Sequence, residues 1–508
     1  MYLLHTFLEK TRQKYPDKPA LFSGRWYTYR EIDEAANSLA NYLRAKGVRR
    51  GDRVAFLLDN GFGYVVTYYG VLKAGAVAVG LNTETTADTL RYLLNNCGAR
   101  VFISDKNFKK YLKPISPRIK RMDAFVLLRP MSDFPRADIL SDILESHSTQ
   151  PPQVRLINLD LAAIVYTSGS TGKPKGVTLS HLNIVTNTES IIAYLRLTPA
   201  DRMLVVLPFY YIYGLSLLNT HIAVGGSLVI ENRFAFPNVA LNSMEEHEVT
   251  GFAGVPSTFA ILLAKTNIRE RRLPKLRYVT QAGGAMAPTL QKEVAQVLAP
   301  ARLIIMYGAT EASARLSYLA PEYLESKWGS IGKAIPNVDL FVADEKGRAL
   351  PAGERGEIVA RGANIMQGYW RDQKETKMVL RHGLYFTGDL GRMDEEGFIY
   401  VVGRSKDMIK QGANRISAKE IEEKILEHEN VLEVAVIGRP DDILGEAIDA
   451  CIVLKEQSET WQEELQDFIR KKLPPFKQPR HYSLFESLPK NSSGKIMKTK
   501  IKELKGLA

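Results

Sequence analysis

Residues 166–177 read YTSGSTGKPKGV, and the rest of the chain is organised around this stretch. It follows the apolar run LAAIVY at 161–166, whose length and β-branched content predict a buried strand ending abruptly in small and polar residues. Gly169, Gly172 and Gly176 permit positive φ and close backbone approach, so successive N–H groups can curl around an anion. Ser168, Ser170 and Thr171 add hydroxyls, and Lys173 and Lys175 add ammonium groups, a set suited to phosphate. A P-loop needs G-x-x-x-x-G-K followed by Ser or Thr; here Gly172-Lys173 precedes Pro174, and Thr167 stands where the first glycine belongs. The stretch from Ser170 to Lys173 also matches S-x-x-K, but that nucleophilic serine opens a helix, which Pro174 and Gly176 discourage, and no K-T-G or S-D-N partner occurs. A Gly/Ser surface turn shares the composition but not the two lysines flanking Pro174.

At 508 residues the chain exceeds one ordinary core, which predicts two or more domains. Its 45% apolar and 24% charged residues are those of a globular protein. A net charge of +12 would suit nucleic acid or an anionic membrane, but no basic stretch is interleaved with stacking aromatics, so an enzyme handling a small polyanion is the better reading, with no nucleic-acid partner. Cys97 and Cys451 are far apart and form no C-x-x-C, which points to a reducing, cytoplasmic setting. The eight histidines include no H-x-x-x-H pair, so a caged transition metal is not expected. Charges at Glu9, Lys10, Arg12 and Lys14 make the N-terminus an amphipathic helix instead of a signal peptide, and Lys73 and Gly75 interrupt the longest apolar stretch, so no membrane span is expected.

From residue 27 to 82 helical and strand patterns alternate: YTYREIDEAANSLANYLRAKG, VAFLL, YVVTYYGVLKAG, AVAVGL. That rhythm predicts parallel sheets covered by helices, and it resumes from 182 to 307. Between 338 and 404, short strands separated by turn signals predict a small antiparallel barrel or sheet. Helical AKEIEEKILEH and WQEELQDFIRKKL then alternate with strand-like VLEVAVIGR and IDACIVLK, an α+β unit with a basic end. The expected architecture is α/β: a large N-terminal domain over 1–404, comprising parallel α/β subdomains plus a small β-barrel, then a small mobile α+β domain over 405–508.

YTSGSTGKPKGV, followed by LSHLN at 179–183, closely resembles the signature loop of the adenylate-forming superfamily: acyl-CoA synthetases, adenylation domains of nonribosomal peptide synthetases, and luciferases. Further stretches extend the resemblance over nearly the whole chain. It implies that Thr167, Ser168, Gly169, Ser170, Thr171, Gly172 and Lys173 hold ATP phosphates, with Thr171 and Lys175 taking part in catalysis. MYGATE at 306–311 resembles the family's Y-G-x-T-E motif, in which tyrosine stacks on adenine, threonine touches phosphate and glutamate holds Mg²⁺. These roles pass to Tyr307, Thr310 and Glu311, with Gly308 and Ala309 beside the nucleotide; a carboxylate oxygen suits a hard cation. YFTGDL at 385–390 places Asp389 where both ribose hydroxyls are held, and Arg404 is expected to reach the ribose as well.

LPFYYIYG at 207–214, GVPST at 254–258 and AGGAMAP at 282–288 resemble the family's pocket walls. Tyr210, Tyr211, Tyr213, Gly214, Val255 and Met286 are assigned to the acid, Ala285 to the nucleotide, and Gly283 and Gly284 to both. By composition alone the aromatic segment reads as core. Many relatives carry histidine where Tyr211 stands, which weakens inference of the acid by analogy. GRSKDMIKQGANRISAKEIEE resembles the hinge region, with Lys406 at the pivot and Gly412 and Ala413 on the acceptor tunnel, where many CoA ligases have Gly-Gly or Ser-Gly. PKNSSGKIMKTK places Lys495 at the family's C-terminal catalytic lysine, an ammonium for the attacking carboxylate and α-phosphate.

The resemblance implies a Mg²⁺-dependent enzyme that joins ATP to a carboxylic acid and passes the acyl group on, with CoA as first choice of acceptor. An amine or a carrier-protein phosphopantetheine stays open, since Ala413 adds a methyl group to the tunnel. A non-catalytic nucleotide-binding protein is disfavoured by intact Glu311 and Lys495; luciferase-type oxygenation is not excluded, though nothing points to it. No acidic residue in LPFYYIYG or AGGAMAP could pair an α-ammonium, which disfavours an amino-acid substrate. The acid, the pathway and the oligomeric state are not legible.

Overall fold

The apolar run before the signature loop forms the strand Leu161–Thr167, and the chain returns as Lys175–Ser180, antiparallel to it, with Thr167 opposite Lys175. A P-loop would continue into a helix at this point. The structure, a computed structural model, describes residues 3–167, 174–404, 407–411, 414–441, 444–490, 494 and 496–507. Ser168, Gly169, Ser170, Thr171, Gly172, Lys173, Lys406, Gly412, Ala413 and Lys495, all assigned roles by resemblance, lie outside the described residues.

The large N-terminal domain is built on two sheets whose central strands are parallel, as the alternation of helical and strand patterns requires. In the first, Arg202–Val205, Gly251–Gly254, Tyr278–Gln281 and Arg302–Tyr307 lie side by side, with Ser317–Leu319 antiparallel beyond them. The second holds Arg53–Leu57 and Val77–Gly80 together with the signature hairpin. Helix Tyr29–Ala45 starts at a capping box in which Thr28 Oγ1 accepts from Glu31 N–H at 3.2 Å and Glu31 Oε2 accepts from Thr28 N–H at 2.7 Å. Helices Phe62–Lys73 and Ile212–Val224 are mostly apolar and are buried on nearly every face. One continuous core draws Val54 and Phe56 from one sheet, Met203 and Leu228 from the other, and side chains from all three helices. Among the described residues, no helix is long and apolar enough to cross a membrane.

Residues 338–404 form an antiparallel sheet in which Leu384–Met393 pairs with Arg355–Gly362 on one side and with Ile399–Arg404 on the other. The C-terminal domain carries an antiparallel pair, Val431–Asp441 with Gly445–Leu454, against helices Ala418–Ile425 and Trp461–Lys472. Its basic end is more than a solvated face. Lys477 pairs with Glu420 at 2.5 Å, Lys498 with Glu422 at 2.7 Å, and Lys505 with the buried Asp449 at 2.5 Å, while Lys490 pairs with Glu433.

The turn into the antiparallel part of the domain depends on Gly332. Its φ is +79°, and a Cβ there would lie 1.8 Å from the Tyr318 carbonyl oxygen, backbone that cannot yield. Gly332→Ala is expected to destabilise the fold by about 3 kcal/mol or more. Gly353→Ala, at a similar φ of +86° but with open space around it, should cost about 1 kcal/mol. Equal thermal midpoints for the two variants would contradict this.

Candidate active site

Three loops leave the carboxyl ends of neighbouring parallel strands, where ligands of open α/β sheets bind. Residues 255–258 follow Gly251–Gly254, residues 282–287 follow Tyr278–Gln281, and residues 308–310 follow Arg302–Tyr307. The middle loop is held open by its own hydrogen bonds, Gln281 Nε2 donating to the Gly284 carbonyl at 2.8 Å and Gln291 Nε2 to the Met286 carbonyl at 2.7 Å. Gly283, Gly284 and Ala285 are exposed, whereas Met286 and Val255 are buried beneath them. Gly283 has a φ of +85°, and a Cβ there would lie 3.1 Å from Val255 Cγ1, so this loop passes its neighbour at close range.

Tyr307 ends its strand with its hydroxyl donating to Asp389 Oδ2 at 2.6 Å, and Arg404 Nε donates to Asp389 Oδ1 at 2.8 Å. Strand register creates the second contact, because Asp389 and Arg404 are directly opposed across an antiparallel pair. A register irregularity at Glu357/Val359 and the positive φ of Gly388 (+76°) sit beside Asp389, and such bulges re-aim neighbouring side chains. Burial, reinforced by the Asp389 charge, pushes the Tyr307 hydroxyl well above its ordinary range, so it stays protonated and donates. The same carboxylate raises Arg404. Tyrosine, aspartate and arginine therefore form one rigid polar unit with its carboxylate buried.

Glu311 lies in the short 3₁₀ turn Thr310–Ala312, its carboxylate Oε1 accepting from the Tyr369 hydroxyl at 2.7 Å. Burial first, and the Glu311 charge second, hold the Tyr369 hydroxyl protonated. Lys175 at the foot of the signature hairpin is paired with Glu375, and its Nζ sits 5.5 Å from the Tyr369 ring centroid. Tyr369 therefore touches both the carboxylate assigned to the metal and the lysine assigned to catalysis. Neither Tyr369 nor Glu375 was assigned a role from the sequence; the string GYWRDQKET at 368–376 has no feature that marks them. Among the described residues no group of three His, Cys, Asp or Glu side chains could cage a metal. Mg²⁺ does not require one, since it is held by one or two carboxylates together with substrate phosphates and water.

The aromatic segment turns at 208–211 and enters helix Ile212–Val224. Asn60 fixes that turn, its Nδ2 donating to the Leu207 carbonyl at 2.9 Å and its Oδ1 accepting from Phe209 N–H at 2.8 Å. Gly214 is required, since a Cβ there would fall 2.1 Å from the Pro208 carbonyl oxygen. Tyr210 and Tyr211 lie ring against ring at 4.7 Å, and the Tyr213 hydroxyl hydrogen-bonds Thr280 in the strand that feeds the glycine loop. The aromatic segment thus packs against the strand leading to Gly283, with Phe209, Tyr210 and Tyr213 buried, as the core reading expects.

A cleft of about 760 Å³ separates Val255, Ser257 and Gly284 from Leu432, Glu433 and Lys490 of the C-terminal domain. Gly494 closes one end: its carbonyl accepts from Ser257 Oγ at 3.2 Å, and a Cβ on it would lie 2.9 Å from Val255 Cγ2. The residue preceding Lys495 is therefore packed against the loop that carries Val255.

Loops gathered at the carboxyl ends of a parallel sheet, a buried aspartate flanked by tyrosine and arginine, and a C-terminal domain across a cleft from those loops are the arrangement of an adenylate-forming enzyme. The sequence profile described as AMP-binding enzyme matches residues 8–370, and that of the AMP-binding enzyme C-terminal domain matches residues 420–495. The chain belongs to the AMP-binding enzyme family and is an AMP-forming acid ligase of the acyl-CoA synthetase type. It is 33% identical to the long-chain-fatty-acid–CoA ligase of Bacillus subtilis (strain 168), over 98% of this chain and 94% of that protein. Against the feruloyl-CoA synthase of an Amycolatopsis species it is also 33% identical, over 94% of each. Among solved structures, an anthranilate CoA ligase in complex with anthranoyl-AMP superposes with a TM-score of 0.92 at 27% identity, covering 99% of this chain and 97% of that one. ATP-bound MatB from Rhodopseudomonas palustris gives 0.89 at 29% identity, with 98% of both chains covered.

Proposed function

We propose that this ligase condenses a carboxylic acid with ATP to an acyl-adenylate and then transfers the acyl group to coenzyme A. The observation that carries the reading is the Tyr307–Asp389–Arg404 unit at the end of the strand that adjoins the one leading to the exposed Gly283–Gly284 backbone, with Glu311 following in the same loop and joined through Tyr369 to Lys175 of the signature hairpin. In the first half-reaction a carboxylate oxygen attacks the α-phosphorus in line, the bond to the bridging α–β oxygen breaks, and pyrophosphate leaves with the electron pair. In the second, the CoA sulfur attacks the acyl carbonyl, AMP leaves, and the thiol proton passes to solvent. Positioning and charge neutralisation carry most of the catalysis.

Tyr307 offers its ring to adenine while its hydroxyl stays on Asp389, and Asp389 and Arg404 orient the ribose. The backbone of residues 167–173 cradles the β and γ phosphates, Thr310 contacts phosphate, and Lys175 adds positive charge. Glu311 would hold Mg²⁺, which neutralises phosphate charge when bound. Lys406 is the pivot about which the C-terminal domain turns between half-reactions, and Gly412 and Ala413 line the path of the thiol.

CoA is preferred as acceptor over an amine or a carrier protein because the relatives that span nearly the whole chain are named as CoA ligases. Their named acids run from long-chain fatty acids to ferulate, oxalate, anthranilate and benzoate, so none is carried over. The test is product mass spectrometry on purified enzyme with ATP, Mg²⁺ and a mixed panel of acids, offering CoA and amino acids in competition. Acyl-CoA with AMP is expected; an amide product, or acyl-adenylate without a CoA adduct, would overturn the acceptor but not the adenylation step.

Tyr369 bears on the metal. Tyr369→Phe frees the Glu311 oxygen it holds, and the Mg²⁺ concentration for half-maximal AMP release should rise about tenfold, as for other partners of metal-binding carboxylates. An unchanged Mg²⁺ dependence would show that Glu311 is oriented by its turn alone.

A further inference from the structure

Arg315 lies four residues beyond Glu311 and is 3% exposed, yet no carboxylate among the described residues comes within 4.0 Å of its guanidinium. The other strongly buried cation, Lys73, sits 2.6 Å from Asp33 and 3.3 Å from Glu9, which is the usual condition for taking charge out of water. Arg315 instead has its Cζ 4.1 Å from the Tyr213 ring centroid, with Nε toward Met306 Sδ at 3.4 Å and one terminal nitrogen donating to the Ala314 carbonyl at 3.2 Å. The phenols of Tyr213 and Tyr194 are both held protonated by burial, so neither brings negative charge. Arginine cannot discard its proton in a protein. Its positive charge thus has no ion-pair partner among the described residues.

Its placement is enforced. Ser313 and Ala314 both have positive φ, +60° and +133°, a strained pair for residues with a Cβ, and the Ala314 carbonyl lies where a Cβ on Gly308 would be, at 1.9 Å. Asn187 holds the Arg315 backbone from both sides, its Oδ1 accepting the N–H at 3.2 Å and its Nδ2 donating to the carbonyl at 2.9 Å. The strained turn brings the Arg315 backbone against Gly308 and its side chain onto Tyr213, the aromatic ring assigned to the acid pocket.

We infer that Arg315 is a specificity-determining residue whose guanidinium receives a second anionic group at the distal end of the acid, so that the substrate class is a dicarboxylic acid or its equivalent. The inference rests on the ligase reading and on Tyr213 lining the acid pocket. Bidentate pairing with a carboxylate would supply the missing countercharge, and the planar cation stacked on Tyr213 is pre-organised for it. A monocarboxylic acid would leave the buried charge unpaired and bury apolar carbon against it, a difference that discriminates strongly in closed sites.

The experiment compares matched acids in the full-length enzyme with ATP, Mg²⁺ and CoA, following AMP release: adipate against hexanoate, and terephthalate against benzoate. Wild-type enzyme should favour at least one diacid over its monoacid by tenfold or more in kcat/KM. Arg315→Met should shift that ratio toward the monoacid by at least tenfold, and Arg315→Lys should restore part of it. Monoacids used as well as or better than both diacids by the wild type would overturn the inference while leaving the ligase intact, and so would an Arg315→Met variant that loses both members of a pair equally. Absence of AMP release with every acid would overturn the ligase reading itself, and this inference with it.

Discussion

Lys495→Ala is expected to slow acyl-adenylate formation by about 10²–10³-fold, the usual loss when a preorganised group at the developing charge is removed. Transfer of a supplied acyl-adenylate to CoA should persist. The expectation rests on how its neighbours are held. Gly494 is hydrogen-bonded to Ser257 of the N-terminal domain and has a φ of +78°, while Ile496 bridges back to Lys490 and packs with Ala435 and Val453 in the C-terminal domain. The chain on one side of Lys495 thus belongs to the interface and on the other to the C-terminal core. In the proposed mechanism Lys495 acts when the domains meet and is withdrawn when they part, so its loss should affect one half-reaction. Pyrophosphate release with acid and ATP measures the first; acyl-CoA formed from synthetic acyl-adenylate measures the second. Equal loss of both would sink the assignment.

Where a candidate site is a contiguous motif, the sequence alone is enough to propose it. The signature loop, Tyr307 to Glu311 and the Asp389 segment are each legible as strings; of these, Tyr307 ends a strand that is parallel to its neighbour, while Asp389 lies within an antiparallel one. The contacts between motifs were not legible. Tyr369 meets Glu311 across 58 residues, Lys175 meets Glu375 across 200, and Ser257 meets Gly494 across 237; each is a property of packing with no local pattern. The basic C-terminal run shows the same limit. Read along the chain it is a solvated charge cluster, yet in the fold Lys477, Lys490, Lys498 and Lys505 find acidic partners between residues 420 and 449. Arg315 carried no signal at all, because one arginine after a motif is unremarkable until its burial and the lack of a nearby carboxylate among the described residues are known.

Asp389→Asn should lower kcat/KM for ATP about 100-fold, equivalent to about 2.7 kcal/mol of transition-state stabilisation, without altering the ranking of acids. Asparagine keeps the shape but removes the charge and turns one acceptor into a donor, so either the Tyr307 hydroxyl or the Arg404 Nε loses its acceptor. The lost ion pair is the smaller part of the effect. The Arg404 side chain is half exposed at 52%, and it can turn to water when its counter-charge goes. The larger part is positional: Tyr307, Asp389 and Arg404 fix one another, and a nucleoside seated on all three loses its orientation when the central member changes. Tyr307→Phe separates the contributions, because it keeps the ring and the Asp389–Arg404 contact and removes only one hydrogen bond. Its loss in kcat/KM for ATP should therefore be the milder one. An Asp389→Asn enzyme that uses ATP normally while its acid ranking changes would place Asp389 at the acid and remove it from the nucleoside, and the register that sets it opposite Arg404 would then serve the fold alone.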